Sequence, residues 1–233
     1  ILYEGKSILL SDMTNYWDPR FLSELDGDIH TIFEVGARYG DESITLSQKF
    51  PKAKVFSFEC NPNTTEICKR KLHNVSNICF IDKALGHERN VLPFYSYVQN
   101  NDGASSFYQR IDANLTQKHT GNIETIRMDD FAKQNGIKGI DLLCMDVQGF
   151  ELNVLKGAGN FLSNIRYVIM EEPKPVIDFR HLPQNCYSKY INAPTPTEIK
   201  EFMTSNDFVE VERIGENDIE DNVMYKNNIT DHL

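Results

Sequence analysis

Residues 31–43 read Thr-Ile-Phe-Glu-Val-Gly-Ala-Arg-Tyr-Gly-Asp-Glu-Ser, and this stretch decides the fold of the chain. Its apolar, β-prone beginning predicts a strand that is buried on both faces. Gly36 and Gly40 allow backbone angles and close approaches that a side chain would forbid, so we expect a tight turn that leads into a helix. Because the first N–H groups of that helix point back at the turn, the turn is a candidate ligand loop.

The acid at the end of this strand indicates the kind of ligand. The carboxylate of Glu34 would repel a phosphate and suits an ammonium or sulfonium cation, which favours S-adenosylmethionine. The turn lacks the Lys-Ser/Thr pair of a P-loop, and Arg38 replaces the middle glycine of the dinucleotide fingerprint. A nicotinamide cofactor is therefore the weaker alternative. The candidate cofactor-binding residues of the turn are Glu34, Gly36, Ala37, Arg38, Tyr39, Gly40 and Ser43.

A second acid, Glu59, ends the next predicted strand, residues 54–59. Its spacing from Gly40 fits the rule that a carboxylate about 20 residues beyond a glycine turn binds the ribose hydroxyls. A third predicted strand, residues 78–81, ends where the amino group of an adenine could be read. These two strand ends add Glu59, Cys60, Asn61, Asp82, Lys83 and Ala84 to the candidate cofactor site.

Residues 140–151 read Ile-Asp-Leu-Leu-Cys-Met-Asp-Val-Gln-Gly-Phe-Glu, a buried strand followed by an acid, a glycine turn and a second acid. Carboxylates crowded at a strand end cost desolvation free energy unless they bind something, so a functional site is favoured over a structural one. Asp146 is the first candidate for the reacting region, and binding of the cofactor is its alternative role. Val147 joins the cofactor-binding set.

Four motifs occur in a fixed order along the chain. They are Glu34-Val-Gly-Ala-Arg-Tyr-Gly-Asp, Phe58-Glu-Cys-Asn-Pro, Asp146-Val-Gln-Gly-Phe-Glu with Val154-Leu-Lys-Gly-Ala, and Glu171-Glu172. Their conjunction, from about residue 29 to residue 226, resembles the FkbM family of S-adenosylmethionine-dependent methyltransferases. The resemblance implies an α/β fold with a doubly wound, mostly parallel, Rossmann-like seven-stranded sheet and an antiparallel last strand. Residues 85–138 are an insertion, for which residues 91–98 predict a β-hairpin followed by a polar turn.

Two residues depart from the family pattern. Arg38 stands where the family commonly has asparagine, and an arginine can still pair with the methionine carboxylate of the cofactor. Gln148 stands where the family commonly has glutamate, which removes an acid from the site. The remaining candidates for a general base are Asp146, Glu151, Glu172 and His181. The three acids among them could also hold a divalent cation or share a proton.

The resemblance implies O-methylation of a hydroxyl group. The segment 173–196 follows the fifth predicted strand and mixes tyrosines with basic side chains, which suits a sugar ring; a solvated linker is the alternative. The leading hypothesis is therefore an O-methyltransferase that acts on a glycan or glycoside, for example a deoxy sugar such as rhamnose. A polyketide or other small secondary metabolite is the alternative acceptor. A non-catalytic, cofactor-binding scaffold module is the alternative from another class.

Composition restricts the partners and the location. A net charge of −10 without a basic tract disfavours nucleic acid and anionic lipid as partners. No apolar run is long enough to span a membrane, and there is no signal-peptide pattern. Five cysteines without a Cys-x-x-Cys pair indicate reduced thiols in a cytoplasmic protein. We expect a single methyltransferase domain over residues 29–233, with a leader, residues 1–28, that packs on it; a place within a larger multidomain protein stays open.

Overall fold

The computed structural model describes residues 2–3, 6–7, 18–97, 102–110, 117–174, 190–215 and 220–229. The helices are α1 Pro19–Ser23, α2 Asp41–Lys49, α3 Thr65–Leu72, α4 Met128–Gln134, α5 Glu151–Lys156 and α6 Pro196–Ser205. The strands are β1 Leu2–Tyr3, β2 Lys6–Ser7, β3 Thr31–Val35, β4 Lys54–Phe58, β5 Ile78–Ile81, β6 Ala84–Leu85, β7 Asn90–Tyr97, β8 Gln117–Ile126, β9 Ile140–Met145, β10 Ile165–Pro173, β11 Phe208–Gly215 and β12 Glu220–Asn227.

Seven strands form the central sheet, in the order β5-β4-β3-β9-β10-β12-β11. The five strands from β5 to β10 are parallel, and β12 is antiparallel to both of its neighbours. The chain first builds outward from β3 to β5 and then returns to the other side of β3, so the strand order reverses between β3 and β9. Ligands of open α/β sheets bind at the carboxyl ends of the strands at such a reversal. The predicted fold class is confirmed.

Side chains of the strands alternate between two apolar layers, which fix where the strand ends lie. One layer buries Phe33 and Phe58 against α4, where both rings pack on Phe131 with centroids 5.8 and 5.0 Å away. The other layer buries Ile32 against α1 and α2. Because both faces are covered, side chains at the strand ends are the ones that can reach a ligand.

The insertion after β5 forms more than the predicted hairpin. Strands β7 and β8 pair in antiparallel fashion, and the short β6 adds to β8 in parallel to make a three-stranded sheet. The sequence predicted a strand only at residues 123–128, yet β8 starts at Gln117, because pairing with β7 satisfies the backbone of a polar run that shows no apolar alternation. Between these strands, Ser106 exchanges two backbone hydrogen bonds with Tyr95, of 2.9 and 3.0 Å.

Part of the N-terminal segment contacts the central sheet. Phe21 of α1 is fully buried in the layer that contains Ile32. The backbone N–H of Asp26 donates to the hydroxyl of Tyr167 at 3.0 Å. None of the helices in the described parts of the chain is both long and apolar enough to cross a membrane.

Candidate functional site

The glycine turn after β3 lies against the ends of both neighbouring strands. The N–H groups of Gly36 and Ala37 both donate to the carbonyl oxygen of Phe58, at 2.9 Å. Gly36 has φ +95°, and a Cβ there would lie 2.0 Å from the carbonyl oxygen of Asp146. Gly40, with φ +78°, is the N-cap of α2. The sequence forms this turn because only glycine fits at the point of contact.

Glu34 lies beneath this turn. Its side chain is only 1% exposed, and the hydroxyl of Ser43 on α2 donates to it. Burial raises the pKa of Glu34 to about 8, and the nearby Glu42 adds to the rise. The carboxyl group is therefore mostly protonated at neutral pH, and a cation bound nearby would favour its ionised form.

Glu59 joins the turn after β3 to the turn after β4. Its Oε2 accepts the N–H of Arg38 at 2.5 Å, and its Oε1 accepts the N–H of Asn61 at 2.6 Å. Burial raises the pKa of Glu59 to about 7, although these two backbone donors oppose the rise. Each carboxylate oxygen has a second lone pair, so Glu59 can still accept hydrogen bonds from hydroxyl groups of a ligand.

A short part of the insertion, residues 102–106, lies over these turns; we call it the bridging segment. Asp102 Oδ1 accepts from Arg38 Nε at 3.0 Å and from Arg38 Nη2 at 2.8 Å. The hydroxyl of Tyr39 donates to the other oxygen of Asp102. The bridging segment also contacts the turn after β4, where Asn61 Nδ2 donates to Ser105 Oγ at 3.2 Å. It contacts the turn after β9 through Ser106 Oγ, which donates to the Gln148 carbonyl oxygen at 2.8 Å. Before α6, the Tyr190 hydroxyl donates to the Ala104 carbonyl oxygen at 3.0 Å.

Two carboxylates flank one amide at the ends of β9 and β10. The Nε2 of Gln148 donates to Asp146 Oδ1 at 2.5 Å and to Glu171 Oε2 at 3.1 Å, and we call these three side chains the acid–amide cluster. The hydroxyl of Tyr190 lies 2.5 Å from Gln148 Oε1. A third acid at position 148 would repel both neighbours, whereas the glutamine donates a hydrogen bond to each of the two carboxylates and holds them together. Such carboxylates can accept a proton from a hydroxyl group.

Glu151 and Glu172 have different partners. Glu151 Oε1 accepts the N–H of Val147 at 3.1 Å and of Gly149 at 3.3 Å, and burial raises its pKa to about 8. Glu172 accepts from the Tyr225 hydroxyl at 2.5 Å and from Arg213 Nη2 at 2.9 Å, and burial raises its pKa as well. Both acids line a small cleft next to the acid–amide cluster, together with Gln148, Gly149, Glu171, Pro173, Tyr190 and Glu220.

The end of β5 is less enclosed than the ends of β3, β4 and β9. Asp82 and Lys83 are exposed, and Lys83 pairs with Glu124 of β8 at 3.3 Å. Ala84 is buried as the first residue of β6, and Cys60 is half-buried after Glu59. His181 lies outside the described residues. Within the described ranges, no three His, Cys, Asp or Glu side chains are grouped as metal ligands.

The glycine turn lies where the strand order reverses, and buried acids stand at the ends of the strands around it. These features together define a Rossmann-type enzyme that binds a nucleoside cofactor. Residues 34–210 match the family described as the methyltransferase FkbM domain. The chain therefore belongs to the FkbM methyltransferase family, which confirms both the resemblance and the prediction of S-adenosylmethionine as the cofactor.

The relatives of this chain include several named methyltransferases. The 2-O-methyltransferase NoeI of Sinorhizobium fredii is 25% identical over 165 residues, which is 65% of this chain and 67% of NoeI. The hexuronic acid methyltransferase AglP of Haloferax volcanii is 30% identical over 195 residues, 82% of this chain and 73% of AglP. Methyltransferase 1 of Beauveria bassiana is 28% identical over 143 residues, 54% of this chain and 57% of that protein.

Proposed function

We propose that this protein transfers a methyl group from S-adenosylmethionine to a hydroxyl group of a sugar. The observation that carries the proposal is the acid–amide cluster, which lies at the strand ends directly beside the glycine turn. The name of one relative, a hexuronic acid methyltransferase, supports a sugar acceptor, and that of another, a 2-O-methyltransferase, supports transfer to oxygen.

The acid–amide cluster fits the proton transfer that O-methylation requires. When bound, S-adenosylmethionine supplies a methyl group on a sulfonium sulfur. The acceptor oxygen would bond to the methyl carbon as the carbon–sulfur bond breaks and S-adenosylhomocysteine leaves, and the hydroxyl proton would pass to a carboxylate within reach. We assign this role to Asp146, with Glu171 as the second carboxylate, because Gln148 holds both of them by hydrogen bonds.

The residues of the glycine turn and of the two following strand ends fit the cofactor. Gly36 lets the turn lie directly against the end of β9, and Glu59 has lone pairs for ribose hydroxyls. We propose that Glu59 binds the ribose and that the adenine lies toward Asp82. The proposed cofactor site consists of Glu34, Gly36, Ala37, Arg38, Tyr39, Gly40, Ser43, Glu59, Cys60, Asn61, Asp82, Lys83, Ala84, Asp146 and Val147.

We expect the affinity for S-adenosylhomocysteine to rise with pH through about 7. The pKa of Glu59 is raised to about 7 in the free protein, and ribose hydroxyls donate to the ionised carboxylate. Binding must therefore release a proton below this pKa, which weakens binding there by roughly tenfold for each pH unit at most. Calorimetric titrations between pH 5.5 and 8 measure this dependence.

Two variants separate the contributions to this pH dependence. Glu59→Gln should remove the additional loss of affinity that begins below about pH 7, whereas Glu34→Gln should leave that additional loss in place. A wild-type affinity that is constant from pH 5.5 to 8, or a Glu59→Gln variant with the wild-type slope, would contradict the ribose role.

The charge of the cleft favours an acceptor without a carboxylate. Of the four glutamates that line it, Glu171 and Glu220 are the ones that would repel an anionic acceptor such as a uronic acid, since burial raises the pKa of Glu151 to about 8 and Glu172 pairs with Arg213. We therefore propose a neutral sugar, for example a deoxy sugar such as rhamnose, as the acceptor.

A panel of acceptors tests this function. The chain is incubated with S-adenosylmethionine and methyl rhamnoside, methyl glucuronide or a phenolic polyketide, and mass spectrometry detects the methylated product. We expect the rhamnoside to react at least about tenfold faster than the glucuronide, the effect of about 1.4 kcal/mol of repulsion. Faster methylation of the polyketide would identify the alternative acceptor class, and cofactor binding without turnover of any acceptor would support the scaffold alternative.

We also propose that the reaction takes place in the reducing environment of the cytoplasm. The four cysteines within the described residues, Cys60, Cys68, Cys79 and Cys144, are free thiols. Detection of the native protein in the cytosolic fraction, with these thiols open to alkylation after unfolding without reductant, would support the location; a secreted, disulfide-linked form would contradict it.

A further inference from the structure

Three residues contact the guanidinium group of Arg38. Asp102 accepts from its Nε and Nη2, at 3.0 and 2.8 Å. The Tyr39 ring lies beneath it, with the ring centroid 5.1 Å from Arg38 Cζ. Gly103 packs so closely on it that a Cβ there would be 2.9 Å from Cζ. The direction of the guanidinium plane is therefore fixed before a ligand binds.

The Nη1 end of the Arg38 guanidinium lies outside the pair that Nε and Nη2 form with Asp102. Asp102 is the acceptor for Nε and Nη2, which leaves Nη1 outside this carboxylate pair. The Arg38 side chain is 25% exposed, whereas that of Asp102 is 10% exposed. A guanidinium presents its donors as a planar fork, so a carboxylate on one edge leaves the other available for a second carboxylate.

The position of Asp102 depends on the same turns that form the proposed cofactor site. Ser105 accepts a hydrogen bond from Asn61 in the turn after β4, and Ser106 donates one to the carbonyl oxygen of Gln148 in the turn after β9. Within the segment, Ser105 Oγ donates to the carbonyl oxygen of Asp102 at 2.7 Å, which closes the turn that carries this acid. Asp102 is thus placed by the turns after β4 and β9 and holds the turn after β3.

We propose that Asp102 is a positioning residue for the cofactor: it holds the Arg38 guanidinium so that Nη1 binds the methionine carboxylate of S-adenosylmethionine. The proposal rests on the proposed function only for the identity of the cofactor. Charge-assisted hydrogen bonds from a guanidinium to a carboxylate are among the stronger ones in proteins, but only when the fork has the right direction. Gly103 and Tyr39 support that direction because both pack against the Arg38 guanidinium.

Two ligands that differ only at the amino-acid end test this role. S-adenosylhomocysteine has the carboxylate, and 5′-methylthioadenosine retains the nucleoside and the thioether without it. We expect Asp102→Asn to weaken S-adenosylhomocysteine about tenfold, the effect of one charge-assisted hydrogen bond. The affinity for 5′-methylthioadenosine should stay within about twofold. Arg38→Lys should give the same pattern, because a lysine keeps the charge and loses the fork.

Asp141→Asn is the matched control. Asp141 also pairs with an arginine, Arg166 at 2.8 Å, and accepts two backbone N–H groups, but it lies at the opposite end of β9. A general loss of stability would therefore appear in the control, and we expect unchanged affinity for both ligands there.

The other outcomes overturn the proposal. Equal weakening of both ligands would mean that the bridging segment only holds the pocket together. Tighter binding of S-adenosylhomocysteine by Asp102→Asn would mean that Asp102 competes with the ligand carboxylate. If the wild-type chain bound neither ligand, the cofactor identity of the proposed function would fail instead, and if it bound both with equal affinity, the carboxylate would have no site at Arg38.

Discussion

Asp146→Asn lowers kcat for methyl transfer about a hundredfold, while the affinity for S-adenosylhomocysteine changes by less than about threefold. The reason is that asparagine keeps the shape of the side chain and still has an oxygen that can accept from Gln148 Nε2. It cannot take up the proton that the acceptor hydroxyl loses. Single-turnover kinetics with saturating acceptor, followed by product analysis, measure the chemical step separately from product release.

Glu171→Gln tells the two carboxylates of the acid–amide cluster apart. If Asp146 is the base, Glu171→Gln should lower kcat by only about tenfold, through the changed position of Gln148. The reverse order of the two effects would assign the base to Glu171, and a pair of variants with nearly normal kcat would move the proton transfer away from this cluster. Asp141→Asn controls for loss of stability, because Asp141 lies near the start of β9, at the other end from Asp146.

The sequence contains enough local signal to predict the central sheet. Each parallel strand is a short apolar run, and each run ends in a glycine turn or an acid that breaks the pattern. The turn at Gly36 was predicted for the same reason that the structure shows, since its contact with the end of β9 leaves no room for a side chain. The strands, the helices and their order along the chain therefore follow from periodicity and glycine placement, whereas the arrangement of the strands in the sheet was implied by the family resemblance.

The contacts across the site are not local, and they were harder to predict. Arg38 and Asp102 are 64 positions apart, and Asp102 lies in a polar turn whose composition fits any solvated loop. Only the pairing of β7, β8 and β6 brings that turn over the cofactor site. Tyr190 belongs to the segment 173–196, which was a candidate for binding the acceptor, but nothing in the sequence connects it with Gln148.

Glu171 is the exception, because a signal for it existed. Side chains alternate along a strand, so Glu171 and Glu172 must point to opposite faces of β10. The structure aligns Met170 with Met145, which brings residues 171 and 146 to one level on one face. The sequence pattern indicated Glu172 as a catalytic candidate, but its partners in the structure are Arg213 and Tyr225. If the ends of β9 and β10 had been aligned in the sequence, Asp146 would have stood beside Glu171, and Glu171 would have been the candidate.

Gly36→Ala is expected to cause the largest loss of stability of any single change at the site. The new Cβ would lie 2.0 Å from the carbonyl oxygen of Asp146, a backbone atom that cannot move without displacing the end of β9. The cost exceeds about 4 kcal/mol, which for a chain of this size lowers Tm by more than about 10 °C. Thermal unfolding followed by circular dichroism measures the shift, and S-adenosylhomocysteine should no longer raise Tm.

Gly136→Ala separates the clash from the backbone strain. Gly136 also has a positive φ, +67°, but a Cβ there would meet nothing within 4 Å. Its substitution should therefore cost only the left-handed backbone strain, about 1–2 kcal/mol, or about 2–8 °C in Tm. Similar losses for both variants would mean that the contact between the turn after β3 and the end of β9 is loose. A much larger loss for Gly36→Ala would mean that this contact holds Asp146 at a fixed distance from the cofactor turn, as alignment of the acceptor oxygen requires.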